Sequence, residues 1–103
     1  MTPPPAPDGS VHSFTGDFTP GPGGVMTDDV GVITGELTLR TDVAASGEAS
    51  LAVQYLGADE SYAVTNGHYR LDDPALGQAL HDAALAHLAT GGADAKDLVL
   101  PTT

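Results

Sequence analysis

The chain has 103 residues and a formal net charge of −11, with three Lys and Arg against 14 Asp and Glu. This length fits one small domain, and so few cations exclude the counterion release on which binding to nucleic acid or anionic membranes depends. The chain has no Cys, which excludes a disulfide framework, a thiolate metal site and a thiol nucleophile.

Residues 1–9, MTPPPAPDG, hold four of the eight prolines. They predict a disordered, polyproline-like arm over residues 1–10, ahead of a single domain over 11–103. The arm lacks the basic and apolar stretches of a signal peptide, and no apolar run approaches the roughly 18 residues of a membrane span. A cytoplasmic protein is expected. In VHSFTGDF, residues 11–18, the even positions carry both Phe14 and Phe18, the period-2 pattern of a short strand. Pro and Gly then alternate through residues 19–24 and break any regular element.

A strand is expected over residues 29–41, where Ile33, Leu37 and Leu39 alternate with Thr34, Glu36, Thr38 and Arg40. Val30 and Val32 fall on the polar parity, which signals a bulge near Gly31 or Gly35. After a loop, DVAASGEA, a further strand is expected over 49–57, with Leu51, Val53 and Tyr55 on one face and a turn at Gly57–Glu60. Asn66-Gly67 is read as a type I′ hairpin turn, since both residues tolerate positive φ. It separates strands near 60–65 and 68–71 and places Tyr62, Val64, Tyr69 and Leu71 on one face. Asp73 and Pro74 suit the start of a helix over about 74–90, ended by Gly91-Gly92. At about 100° per residue its apolar stripe runs through Leu76, Leu80, Ala84 and Leu88. Gly77 costs this helix about 1 kcal/mol relative to Ala, so packing on the sheet must hold it. Asp97–Pro101 is read as a possible edge strand.

Among groups that could carry chemistry, the histidines titrate nearest neutrality. On the helical wheel His87 falls inside the stripe and His81 on its border, about 120° apart, so they cannot chelate one metal as an i, i+4 pair does. His87 is read as a core-edge or helix-end residue. No serine sits in a strand-to-helix nucleophile turn, and the glycine clusters lack the residues of a phosphate or dinucleotide loop. No catalytic residue, metal site or cofactor is assigned. Tyr55, Tyr62 and Tyr69 fall on one sheet face, either as core aromatics or as a recognition patch. With His68, His81 and His87 they form the set of ligand or interface candidates.

These readings give an α+β fold: an antiparallel meander of four to five strands packed by one C-terminal helix. The first functional expectation is a non-enzymatic protein-binding or assembly module. Either it self-associates, through the bare sheet, an edge strand or the Ala79, Ala83, Ala86 flank, or it docks a basic partner through carboxylates. One alternative is a small ligand-binding domain or enzyme using His and Tyr in a sheet–helix cleft. Another is an acidic inhibitor or immunity-type protein acting on a basic partner.

Overall fold

The computed structural model describes residues 11–91 and residue 98. Six antiparallel strands form one sheet: β1 (Val11–Phe18), β2 (Val25–Thr27), β3 (Gly31–Ile33), β4 (Leu37–Ala44), β5 (Glu48–Tyr55) and β6 (Tyr62–Arg70). A 3-10 turn (Pro74–Leu76) leads into helix α1 (Gly77–Ala89). The strand order is β1-β4-β5-β6-β2-β3. Only β4-β5-β6 is a meander; β1 lies outside β4, and the β2–β3 hairpin attaches beyond β6. The arm over 1–10 lies outside the described residues, as does the expected strand over 97–101 except for Leu98, which packs partly buried against the core. No helix among the described residues is long and apolar enough to cross a membrane.

Alternation decides which side of the sheet is buried. Leu37, Leu39, Thr41 and Val43 of β4 and Ala49, Leu51 and Val53 of β5 all point inward and are buried. Their neighbours Thr38, Arg40, Asp42, Ser50 and Gln54 lie on the other, uncovered face. Helix α1 lies over β1 and β4. Glycine lets it approach closely: a Cβ at Gly77 would stand 2.9 Å from Val43 Cγ2, and one at Gly16 would stand 2.9 Å from Leu85 Cδ1. The residue that weakens the isolated helix therefore serves its packing.

Several expectations are corrected. The strand over 29–41 is two strands, β3 starting at Gly31 and β4 at Leu37, because the chain breaks at residues 34–36, where Gly35 takes a positive φ of 94°. β2 was not anticipated. The loop after residue 41 shrinks to a turn at 45–47, with β4 running to Ala44 and β5 starting at Glu48.

Asn66-Gly67 makes no hairpin. β6 runs unbroken past it, and the pairing with β5 jumps from Ala52↔Ala63 to Ser50↔His68, so four residues of β6 oppose Leu51 alone. Asn66 spends its left-handed conformation (φ 62°) on this bulge instead, which bends a strand rather than reversing it. The bulge adds an odd number of residues and so switches parity, leaving Tyr62, Val64, Tyr69 and Leu71 on one face of one strand. A Cβ at Gly67 would stand 2.8 Å from Val64 O and 3.1 Å from Leu51 Cβ. Gly67→Ala is therefore expected to cost about 1–3 kcal/mol in urea unfolding, whereas Asn66→Gly, at a left-handed position, should change stability by a few tenths.

The helix begins as expected in sense but not in detail. Asp73 Oδ1 accepts from the Ala75 N–H at 2.9 Å and Asp73 O accepts from the Leu76 N–H at 2.9 Å, which cap the 3-10 turn rather than the α-helix itself. At the other end Thr90 N–H and Oγ1 both donate to Ala86 O, at 3.1 and 2.6 Å, and Gly21 N–H of the β1–β2 loop donates to Leu88 O at 3.3 Å. The buried face comprises Gly77, Leu80, His81, Ala84 and Leu88. It is rotated away from Leu76 and His87, both half-buried, so His81 rather than His87 is the histidine of the core.

Candidate functional site

The six candidate side chains do not meet in one cleft. His81 is 3 % exposed beneath β1 and β4, its Nδ1 2.8 Å from Thr41 Oγ1 and its ring 5.8 Å from that of Phe14 in a stacked pair. Burial pushes its pKa below the usual imidazole value, against the opposing effects of Asp82 and of a hydrogen bond to the Thr15 backbone. Tyr69 packs between the two hydrophobic clusters. His87 lies half-buried near the end of the helix. His68 is exposed on the opposite face of the sheet, where strand pairing sets it in a transverse row, Ser13↔Asp42↔Ser50↔His68.

That row contains the residue types of a hydrolytic triad in the wrong order. Ser50 stands between acid and imidazole, so the acid cannot orient the imidazole toward the hydroxyl. Asp42 is already engaged, accepting from Ser13 Oγ at 2.6 Å and from Arg40 Nε at 2.9 Å. A hollow of about 260 Å³ lined by Asp42, Ala44, Glu48, Ala49, Ser50 and His68 lies open on this face. Among the described residues no group of three or more His, Asp or Glu could hold a metal ion.

Tyr55 and Tyr62 do come together. Their rings form an edge-to-face pair with centroids 6.5 Å apart, in the geometry that aromatic quadrupoles favour. They stand at the end of the sheet where Phe18, Leu37 and Tyr55 are aligned across β1, β4 and β5. Tyr55 and the adjacent Leu56 are 43 % and 47 % exposed. Tyr62 OH donates to Glu60 Oε2 at 3.1 Å. Its pKa is raised, first by that hydrogen bond, then by desolvation and by the nearby Glu60, Tyr55 and Asp29.

The same end gathers carboxylates from four segments. Asp17, the last residue but one of β1, accepts from Thr38 Oγ1 at 2.7 Å. Asp28 and Asp29, in the β2–β3 turn, accept from Thr65 Oγ1 at 2.9 Å and from the Ala63 N–H at 3.0 Å. Glu36 precedes β4 and its carbonyl accepts from the Leu56 N–H at 3.1 Å. Asp59 and Glu60 lie in the β5–β6 loop, which Gln54 braces by donating to Ala58 O at 2.9 Å. Asp17, Phe18, Thr19, Glu36 and Leu56 line a shallow hollow at this end. Both described arginines lie away from it and are tied to other acids, Arg40 to Asp42 at 2.9 Å and Arg70 to Glu48 at 3.7 Å.

Apart from the adjacent pair Asp28-Asp29, the acids of this end do not stand out as a group in the sequence because they are scattered from residue 17 to residue 60. Their common position follows from topology: each lies in or beside a strand end or turn on the same side of an antiparallel sheet. Once the strand order is known, that placement is enough to find them. No protein-family model matches the chain, and no significant match is found among curated proteins or solved structures.

Proposed function

We propose that this chain is a non-enzymatic protein-binding module whose acidic, tyrosine-bearing end receives a Lys/Arg-rich segment of a partner protein. The observation that carries this reading is that Asp17, Asp28, Asp29, Glu36, Asp59 and Glu60 all lie at the one end of the sheet that also bears Tyr55 and Tyr62, with no Lys or Arg among the described residues there. A net charge of −11 attracts a basic partner from a distance and suppresses acidic competitors. The exposed tyrosine faces then suit guanidinium and ammonium groups at contact range. Four of the six carboxylates already accept a hydrogen bond from the fold, so less side-chain freedom is lost on binding.

The test is titration with a synthetic peptide of alternating Arg and Gly, followed by tyrosine emission, which no Trp obscures in this chain. Binding is expected to weaken about tenfold or more between 50 and 500 mM salt. The triple variant Glu36→Gln, Asp59→Asn, Glu60→Gln should lose about tenfold in affinity. A control with the same charge change elsewhere, Glu48→Gln, Asp72→Asn, Asp82→Asn, should lose little. Equal losses in the two variants would reduce the effect to net charge and overturn the proposed site.

A further inference from the structure

We infer that the outer edge of β1 pairs antiparallel with β1 of a second copy of this chain, joining two sheets into one. β1 is the outermost strand of the sheet, and its eight residues pair with β4 without a single register shift. Among the described residues nothing pairs with its other edge. An edge of this length, about 27 Å, is ordinarily blunted by Lys, Pro or a bulge, and VHSFTGDF contains none of these. The opposite edge, β3, has only three residues and offers no comparable ladder.

A second copy fits this edge by its pattern. A two-fold axis perpendicular to the sheet keeps inward residues inward, so only positions of like parity pair. Centred on Phe14, the pairing sets the two Phe14 side chains against each other. It also places Ser13 beside the partner's Thr15, Asp17 beside the partner's Val11, and His12 beside the partner's Gly16, where no side chain competes for space. No like charges are opposed, and an aromatic cross-strand pair forms at the axis. On the helix side, next to that axis, lies a hollow of about 330 Å³ lined by His12, Phe14, Ala75 and Gln78, which the partner's inward side chains would fill. Two chains of charge −11 repel, but the antiparallel arrangement sends their acidic ends in opposite directions. The separation exceeds the Debye length of about 8 Å at physiological salt. Of the docking end only Asp17 lies in the β1–β1 ladder, and the Glu36, Asp59 and Glu60 variant tests docking apart from it, so this inference and the docking proposal succeed or fail separately.

Sedimentation of the whole chain over a rising concentration series should show the mass moving from 10.4 kDa to twice that value. The chain has no native Cys, so Thr15→Cys carries a single pyrene, which should give excimer emission in the dimer. Pyrene on Asp59→Cys, at the acidic end, should give none. Thr15→Asp, whose new carboxylate faces Arg40 across β1–β4 but meets its own copy diagonally across the dimer axis, should weaken association at least tenfold while keeping the melting temperature of the dilute monomer. A chain that stays at monomer mass into the millimolar range would overturn the inference. So would a dimer without excimer emission from the Thr15 label, or one indifferent to Thr15→Asp.

Discussion

Leu88→Ala is expected to remove about 2–5 kcal/mol of stability. Leu88 is 1 % exposed and belongs to the cluster in which α1 meets Val25 of β2, Ile33 of β3, Leu37 and Leu39 of β4 and Leu51 and Val53 of β5. Its side chain thus helps hold the β2–β3 hairpin to the rest of the fold. Beyond it, β2 meets β6 through one ladder pair, Thr27↔Val64, and the hairpin turn is tied to β6 by Asp28 and Asp29, which bond to Ala63 and Thr65. The neighbouring backbone leaves limited room to collapse into the cavity, because the β1–β2 loop is hydrogen-bonded to the Leu88 carbonyl. A domain of this size holds about 5–15 kcal/mol in total, and each kcal/mol moves the melting temperature by about 4–8 °C. The variant should melt roughly 10–30 °C lower by circular dichroism. Val30→Ala and Leu56→Ala delete side chains that are 54 % and 47 % exposed and should change stability by no more than about 0.5 kcal/mol. A comparable loss at Val30 would mean that the hairpin is held from its outer side and that the role assigned to Leu88 is wrong.

The elements legible in the sequence are those whose signals are local. β1 shows its two phenylalanines at even positions, the turn after β5 follows its Gly-Ala-Asp-Glu tetrapeptide, and the helix start is marked by Asp73-Pro74. β2 carries no such signal. Three residues, Val25–Thr27, are too few for a period, and they are a strand only because β3 and β6 supply partners. Asn66-Gly67 shows the same limit differently. Its tolerance of positive φ is legible, but whether that tolerance turns the chain or bulges it depends on β5, which is long enough to pair with β6 on both sides of the break.

The helix shows its buried face only faintly in the sequence because it is weakly amphipathic. With Ala at positions 79, 83, 84, 86 and 89 and Gly at 77, side-chain hydropathy barely distinguishes one face from another. The choice falls to shape instead: Gly77 and Ala84 are small enough to approach the sheet, and that brings His81 inward and leaves His87 half-buried. The candidate site divides in the same way. Tyr55 and Tyr62 were on the page from strand parity alone, whereas the acids around them required the order of the strands.

Buried histidine carries the second large effect. Burial depresses the pKa of His81 in the folded state below the unfolded value of about 6.5. Between those two values the unfolded chain binds a proton that the folded chain does not, so stability rises with pH across that interval. The stabilisation is full above about pH 6.5 and is lost progressively as pH falls from there through the depressed folded value. Thr41 does not by itself prevent protonation, since its hydroxyl can either donate to Nδ1 or accept from it; the cost lies in placing a cation beneath Phe14, Leu80 and Val43. Asp82, next along the helix, reduces that cost without abolishing it. Acid also relieves repulsion among the 14 carboxylates, an effect of opposite sign, so the comparison must be with His81→Gln, which keeps the total of acids. Between pH 7.5 and 5 the parent chain should lose stability relative to His81→Gln in urea unfolding, and the His81 ring resonances should titrate below the usual imidazole value. Thr41→Val, which leaves Nδ1 buried without its partner, should cost about 1–3 kcal/mol at pH 7.5. Parallel pH profiles for the parent and His81→Gln would show that this imidazole is hydrated in solution, and the packing of α1 on β1 and β4 described above would then be wrong.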